Sequence, residues 1–198
     1  MKAQVVDQVT SKNAYHECAA KLTRLSETLP KRLQSVADCT LANLDGIMQL
    51  PWVLTHDDLS DMNILVDSDT GHLTGVVDWA DAVVRPFGVA LWGLESVLGR
   101  SGPEGWLWLS DELPRHRQLF YRTFSEEVGG LSDEQCQSIE RARILGILFR
   151  YGFSWENGIM VPTNDTELLG TFLKCKFTRT DLDTDTSELI GNCRLVIH

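Results

Sequence analysis

The sequence predicts an α+β domain, mostly helical, folded around one small β-hairpin. Apolar residues recur at helical spacing through several long segments, and one pair of β-branched runs is joined by residues of turn chemistry. A length of 198 residues is enough to bury one real core. The expected organisation is a single domain over residues 1–173, followed by a polar tail over 174–198.

Each element has its own signal. Residues 12–29 place Tyr15, Ala19, Leu22 and Leu25 on one stripe, which predicts a helix. Pro30 suits the start of a second, running from Lys31 to Met48 with Leu33, Val36, Leu41, Leu44 and Ile47 inward. Trp52–Thr55 reads as a short strand and His56–Met62 as a polar loop. The hairpin follows: Asn63–Val66 and Leu73–Trp79, joined by Asp67-Ser68-Asp69-Thr70-Gly71. Phe87–Leu98 is expected to be helical, with Phe87, Leu91, Leu94 and Leu98 facing inward and Gly99 and Gly102-Pro103 marking its end. Residues 112–128 and 132–151 predict two more amphipathic helices, the second capped by Ser132. Gly152–Asn164 reads as an aromatic-bearing loop and Asp165–Leu173 as a short helix.

Composition narrows the class. A hydrophobic content of 43% and a charged content of 23% are those of ordinary soluble chains. The formal net charge of −10 argues against nucleic acid and against anionic membrane surfaces, both of which call for a basic footprint. No apolar run approaches the ~20 residues of a membrane span, and the first residues lack a signal peptide's apolar stretch. The five cysteines are scattered without a CxxC pair, which reads as reduced thiols in a cytoplasmic protein. The expected partner is a small molecule, with self-association left open. The acidic run Asp181, Asp183, Asp185 and Glu188 departs from a calcium loop at Thr186 and Asn192, so a solvated tail is the better reading.

The chemistry-bearing motif is His56-Asp57-Asp58-Leu59-Ser60-Asp61-Met62-Asn63, which satisfies H-x-D-L-x-x-x-N. An aspartate there is placed to accept a proton from an attacking hydroxyl, and the asparagine to help hold Mg²⁺. Fifteen residues after Asn63, the apolar Val76-Val77 leads into Asp78, the place of a second metal ligand. Singly, Asp58 reads equally well as an ordinary loop carboxylate and Asn63 as a turn cap.

The block from Pro51 to Glu95 resembles the corresponding block of aminoglycoside-phosphotransferase-like proteins, especially the fungal type, and the likeness runs over about residues 30–155. It implies a kinase-like fold, with Asp58 as catalytic base, Asn63 and Asp78 as Mg²⁺ ligands, and His56 bracing the loop. Asp57 stands where the family usually has glycine. Aspartate is among the few residues that tolerate φ > 0, and a carboxylate beside Asp58 also makes Asp57 a candidate acid.

A kinase-type site further needs a glycine-rich strand pair over the phosphates and a strand lysine. Such a lobe takes roughly 65 residues. Only 55 precede His56, they read mainly as helices, and Gly46 is their single glycine. The expectation is therefore a C-terminal lobe only, the N-terminal lobe being absent. Asp57, Asp58, Asp61 and Asp78, with no Lys or Arg expected beside them, would repel a triphosphate unless Mg²⁺ intervened.

Removing a covering lobe exposes the apolar side of a cleft. Trp79, Phe87, Trp92, Trp106 and Trp155 are the candidates to line it and to bind a substrate. The favoured function is a repurposed enzyme that needs no cofactor. It would bind a hydrophobic small molecule of terpenoid or polyketide type in specialised metabolism and promote a non-phosphoryl step such as cyclisation or isomerisation, with Asp58, His56 and Asp57 as the catalytic groups. The alternatives are an Mg/ATP-dependent small-molecule phosphotransferase and a non-catalytic binding protein.

Overall fold

The computed structural model describes residues 3–174; the expected tail, with its acidic run, lies outside them apart from Lys174. The chain opens with helix α1 (Gln8–Thr28). It starts earlier than its apolar stripe because Asp7 caps it, Oδ1 accepting the N–H groups of Val9 and Thr10 at 2.9 and 3.0 Å. Helix α2 (Lys31–Ala42) follows Pro30. The single long helix expected here is broken at Asn43, whose side-chain amide donates to the Cys39 carbonyl at 2.8 Å. A short helix α3 (Leu44–Met48) completes the segment.

Strand β1 (Trp52–Thr55) pairs antiparallel with β4 (Val83–Pro86), Thr55 opposite Val83. Between them lies the hairpin of β2 (Ile64–Val66) and β3 (Leu73–Val76). Its turn forms as the sequence dictates: Asp67 Oδ1 accepts the N–H groups of Asp69 and Thr70, and Gly71 takes φ +70°. After β4, a 3₁₀ turn over Val89–Leu91 precedes helix α4 (Trp92–Val97). Strands β5 (Gly99–Gly102) and β6 (Gly105–Trp108) form a ribbon. Helices α5 (Leu113–Glu127) and α6 (Asp133–Tyr151) follow, then the ribbon of β7 (Phe153–Glu156) and β8 (Ile159–Pro162) and helix α7 (Glu167–Leu173). The fold is α+β and mostly helical, but the described residues hold four two-stranded antiparallel sheets rather than one hairpin.

Helix α6 is the axis of the core. A full capping box between Ser132 and Gln135 starts it, and Ile139, Ala142, Leu145, Ile147 and Leu148 are buried along it against Leu22, Leu25, Leu33 and Phe172. Gly146 sets the approach of the loop chain to this axis: a Cβ there would lie 1.8 Å from the Val89 carbonyl oxygen.

The inward face of α4 differs from expectation. Trp92, Gly93, Glu95 and Ser96 are buried, while Phe87, Leu91, Leu94 and Leu98 are half-buried. The helix begins only at Trp92, after Gly88 has turned at φ +99°, so the apolar stripe read from Phe87 is in the wrong register. Burying Glu95 is possible because Arg117 forks onto it through Nε and Nη2 and Arg143 Nη1 lies 3.5 Å away. Burial alone would disfavour the charged form of Arg143. The carboxylates of Glu140 and Glu95, with Tyr121, outweigh it and hold the guanidinium's pKa above its ordinary value.

Cys39 is disulfide-bonded, which corrects the expectation of reduced thiols throughout; Cys18 and Cys136 are free and buried. Among the described residues no helix is long and apolar enough to cross a membrane.

Candidate functional site

Strand β1 delivers His56 to the start of the loop, and β3 delivers Val77 and Asp78 beside it. Two hydrogen bonds interlock the two segments, and a third closes the loop on itself. His56 is 5% exposed, and its Nε2–H donates to the Val77 carbonyl at 2.7 Å. That bond fixes the proton on Nε2 in the neutral ring and leaves Nδ1, buried and unpartnered, as an acceptor. The Asn63 side-chain amide donates to the Asp58 carbonyl at 2.9 Å, and the Val77 N–H donates to the Asn63 carbonyl at 3.0 Å. The loop's middle is held from the other side: Ser96 Oγ shares its proton between the Leu59 carbonyl at 3.0 Å and the Gly93 carbonyl at 2.7 Å. A Cβ at position 93 would come within 2.7 Å of the Leu59 oxygen, so only glycine lets α4 sit so close.

Two aspartates take the left-handed backbone conformation, Asp57 at φ +60° and Asp78 at φ +61°. Aspartate tolerates this region better than most residues, which accounts for Asp57 at a position where the family usually has glycine. Its carboxylate has a cationic partner of its own. It is gripped by Arg85 of β4 in a bidentate pair, Nε to Oδ1 at 3.0 Å and Nη2 to Oδ2 at 2.9 Å. Asp58 is paired as well: Arg150, near the end of α6, brings Nη2 to 2.8 Å from Oδ1. The contact is an ion pair without hydrogen-bond alignment. The guanidinium of Arg150 lies over the Trp92 ring, 4.6 Å from its centroid. The expectation that the acids have no cationic neighbours is thus overturned by two arginines. Burial pushes the adjoining Tyr151 hydroxyl up to about 12, against the opposing charge of Arg150.

The aromatic candidates divide. Trp79 is at the loop, its ring edge-on to His56 at 4.8 Å and its Nε1–H on the Val76 carbonyl; Trp92 supports Arg150. The contacts of the other three lie elsewhere. Phe87 stacks on Phe124 at 4.9 Å and lines a separate cavity. Trp106 packs between Trp108 and Phe172. Trp155 is 71% exposed on β7. A single aromatic wall made of all five is not formed.

The donor chemistry at Asn63 and Asp78 suits Mg²⁺. Asn63 spends its amide N–H on Asp58, which leaves its side-chain oxygen, and Asp78 supplies an exposed carboxylate one residue past the Val77–Asn63 bond. Mg²⁺ takes one or two such oxygens and completes its shell with water and phosphate. Among the described residues no group of three or more His, Cys, Asp or Glu gathers to hold an ion by itself.

The family model described as "Phosphotransferase enzyme family" (APH) matches residues 5–107. Neither curated proteins nor solved structures give a match. The matched stretch is just over half of the chain and runs from α1 into β6, with His56, Asp58, Asn63 and Asp78 all inside it. Arg150 reaches the loop from outside it. By that match, the chain belongs to the phosphotransferase enzyme family.

Proposed function

We propose that the chain is a small-molecule enzyme built on a kinase-like C-terminal lobe of this family. Asp58 would receive the hydroxyl of a substrate with an apolar body and promote a non-phosphoryl step such as cyclisation or isomerisation. One observation carries this reading: the two arginines that reach the loop, Arg85 from β4 and Arg150 from α6, are paired with Asp57 and Asp58, so neither is offered to a triphosphate. The described residues before His56 support it, since they fold as α1–α3 and β1 and contain no glycine-rich strand pair. In this role Asp58 Oδ1 stays on Arg150 while Oδ2 orients and accepts from the substrate hydroxyl. His56 holds the loop on Val77 through Nε2, and the exposed indole of Trp79 offers apolar surface beside it. No nucleotide is needed.

A second reading is favoured by the Asn63–Asp58 bond and the placement of Asp78. It is Mg/ATP-dependent phosphotransfer to a small-molecule hydroxyl, with the phosphate-gripping part supplied by another segment or chain. Mg²⁺, when bound at Asn63 and Asp78, would supply charge compensation to the phosphates. Asp58 would again orient the hydroxyl, and Asn63 would keep it in register. In the third alternative, a non-catalytic binding protein, the motif residues serve as bracing alone.

Titration calorimetry separates these. The first reading expects saturable binding of a hydroxylated apolar ligand, lost in Asp58→Asn, and no heat from Mg-ATP at millimolar concentration. Nucleotide binding that depends on Asn63 and Asp78 would replace it with the second. A ligand screen in which Asp58→Asn changes neither binding nor turnover would leave the third.

A further inference from the structure

A cavity of about 470 Å³ lies behind the β1–β4 ribbon, away from the Asp58 loop. The N-terminal segment walls one side, held there by the Gln4 N–H on the Trp52 carbonyl at 2.7 Å, and the α5–α6 corner walls the other. Its volume falls within the usual few hundred to a thousand Å³ of small-ligand sites. The floor is apolar, with Val53 and Ile139 both buried. Phe87 and Phe124, stacked at 4.9 Å with their planes 15° apart, form one wall.

The rim carries a charge that the fold does not need. Helix α5 ends on Ser125-Glu126-Glu127 and has no basic residue in its last turn. Carboxylates at a helix C-terminus oppose the helix dipole, and sequences usually place cations there. Glu126 is offset by Arg122 at 4.0 Å. Among the described residues Glu127, which lines the cavity mouth, has no ion-pair partner. A carboxylate set against its own helix dipole at the edge of an apolar cavity is available to a cationic ligand.

We infer that this cavity binds an organic ammonium ion with an apolar body. The alkyl or aryl body would fill the floor against the Phe87–Phe124 wall. The ammonium would meet Glu127 and the carbonyl end of α5, with the aromatic faces adding attraction for the cation. The site is independent of the function proposed above and does not use Asp58.

The test uses the full chain and three probes of one shape: 4-phenylbutylamine, 4-phenylbutanol and 4-phenylbutyrate, followed by calorimetry. The amine should bind saturably, at least tenfold tighter than the alcohol, with the acid weakest. Glu127→Gln, at an exposed position, should erase the preference of amine over alcohol. Val128→Trp, which plugs the mouth from a half-exposed site, should abolish binding of both at unchanged melting temperature. Asp58→Asn should leave all three affinities as they were. Equal affinity for amine and alcohol overturns the assignment. So does an amine preference that survives Glu127→Gln, binding that survives Val128→Trp, the absence of any saturable binding, or loss of amine binding in Asp58→Asn.

Discussion

Two of the molecule's sets of arginine–carboxylate contacts differ in nearly every physical respect. Glu95, Arg117 and Arg143 lie between α4, α5 and α6 almost wholly out of water, with side chains 2–11% exposed. Asp57–Arg85 and Asp58–Arg150 sit at the loop with side chains 26–45% exposed. A buried charge that loses its partner has nowhere to find a substitute, whereas a half-exposed one finds water. The first set therefore ties three helices into one arrangement. The second fixes loop side chains within reach of water, where each pair adds little to global stability. Arginine–carboxylate pairing alone does not distinguish scaffold from site; solvent access does.

Mutations can break or sharpen this contrast. The largest effect is expected for Glu95→Ala, which takes the forked carboxylate from buried Arg117 while Arg143 keeps Glu140, and should cost about 3–5 kcal/mol in denaturant unfolding. A loss below 1 kcal/mol would make the two sets energetically alike. Next comes Cys18, whose thiol burial pushes up to about 11 from an ordinary 9.0. The folded state holds the proton more tightly than the unfolded one. This contribution is therefore complete below pH 9 and disappears between pH 9 and 11, about 2–3 kcal/mol in all. Stability measured from pH 8 to 11 should fall less steeply in Cys18→Ala than in the parent.

Ser96→Ala removes the hydroxyl that holds Leu59 and should cost about 1 kcal/mol, with weakened ligand affinity at the loop as its second readout. A double-mutant cycle on Asp57 and Arg85 should give a coupling of only about 0.2–1 kcal/mol, declining with added salt. The smallest stability change is expected for Asp58→Asn, within about 0.5 kcal/mol, although it removes the group on which the proposed function depends.

Much of the fold was legible because its signals are local. Trp52–Thr55, the Asp67–Gly71 turn and the Ser132 capping box each declare themselves within a few residues. The β7–β8 ribbon, which stands where a loop is expected, has a local signal too: Asn157-Gly158 between apolar runs is a strong hairpin signal, and both residues take positive φ, +52° and +79°. The β5–β6 ribbon carried a fainter one in Gly102-Pro103, read only as a helix stop. At the site, the residue types of His56, Asp58, Asn63 and Asp78 were readable, because spacing along one loop is a property of sequence. Their partners were not. Arg85 lies 28 residues from Asp57, and Arg150 reaches Asp58 from the far end of α6, so only tertiary packing brings them together. A lone arginine inside the apolar run Val83-Val84-Arg85-Pro86-Phe87 was the one hint available. The register of α4 failed for a related reason: Glu95 is buried only because arginines from two later helices reach it.

The contact between Gly93, Ser96 and the Leu59 carbonyl makes the loop and α4 mechanically one body. Glu95 sits between those two residues and points the other way, into the helix interface. The seats of α5 and α6 on Glu95 and the seat of the Leu59 backbone thus share one turn of α4. Position 93 acts as the bearing of that linkage. A methyl group placed there would leave every charge in the site untouched and still dislodge it, so an inactive variant with all its acidic residues in place has a mechanical explanation.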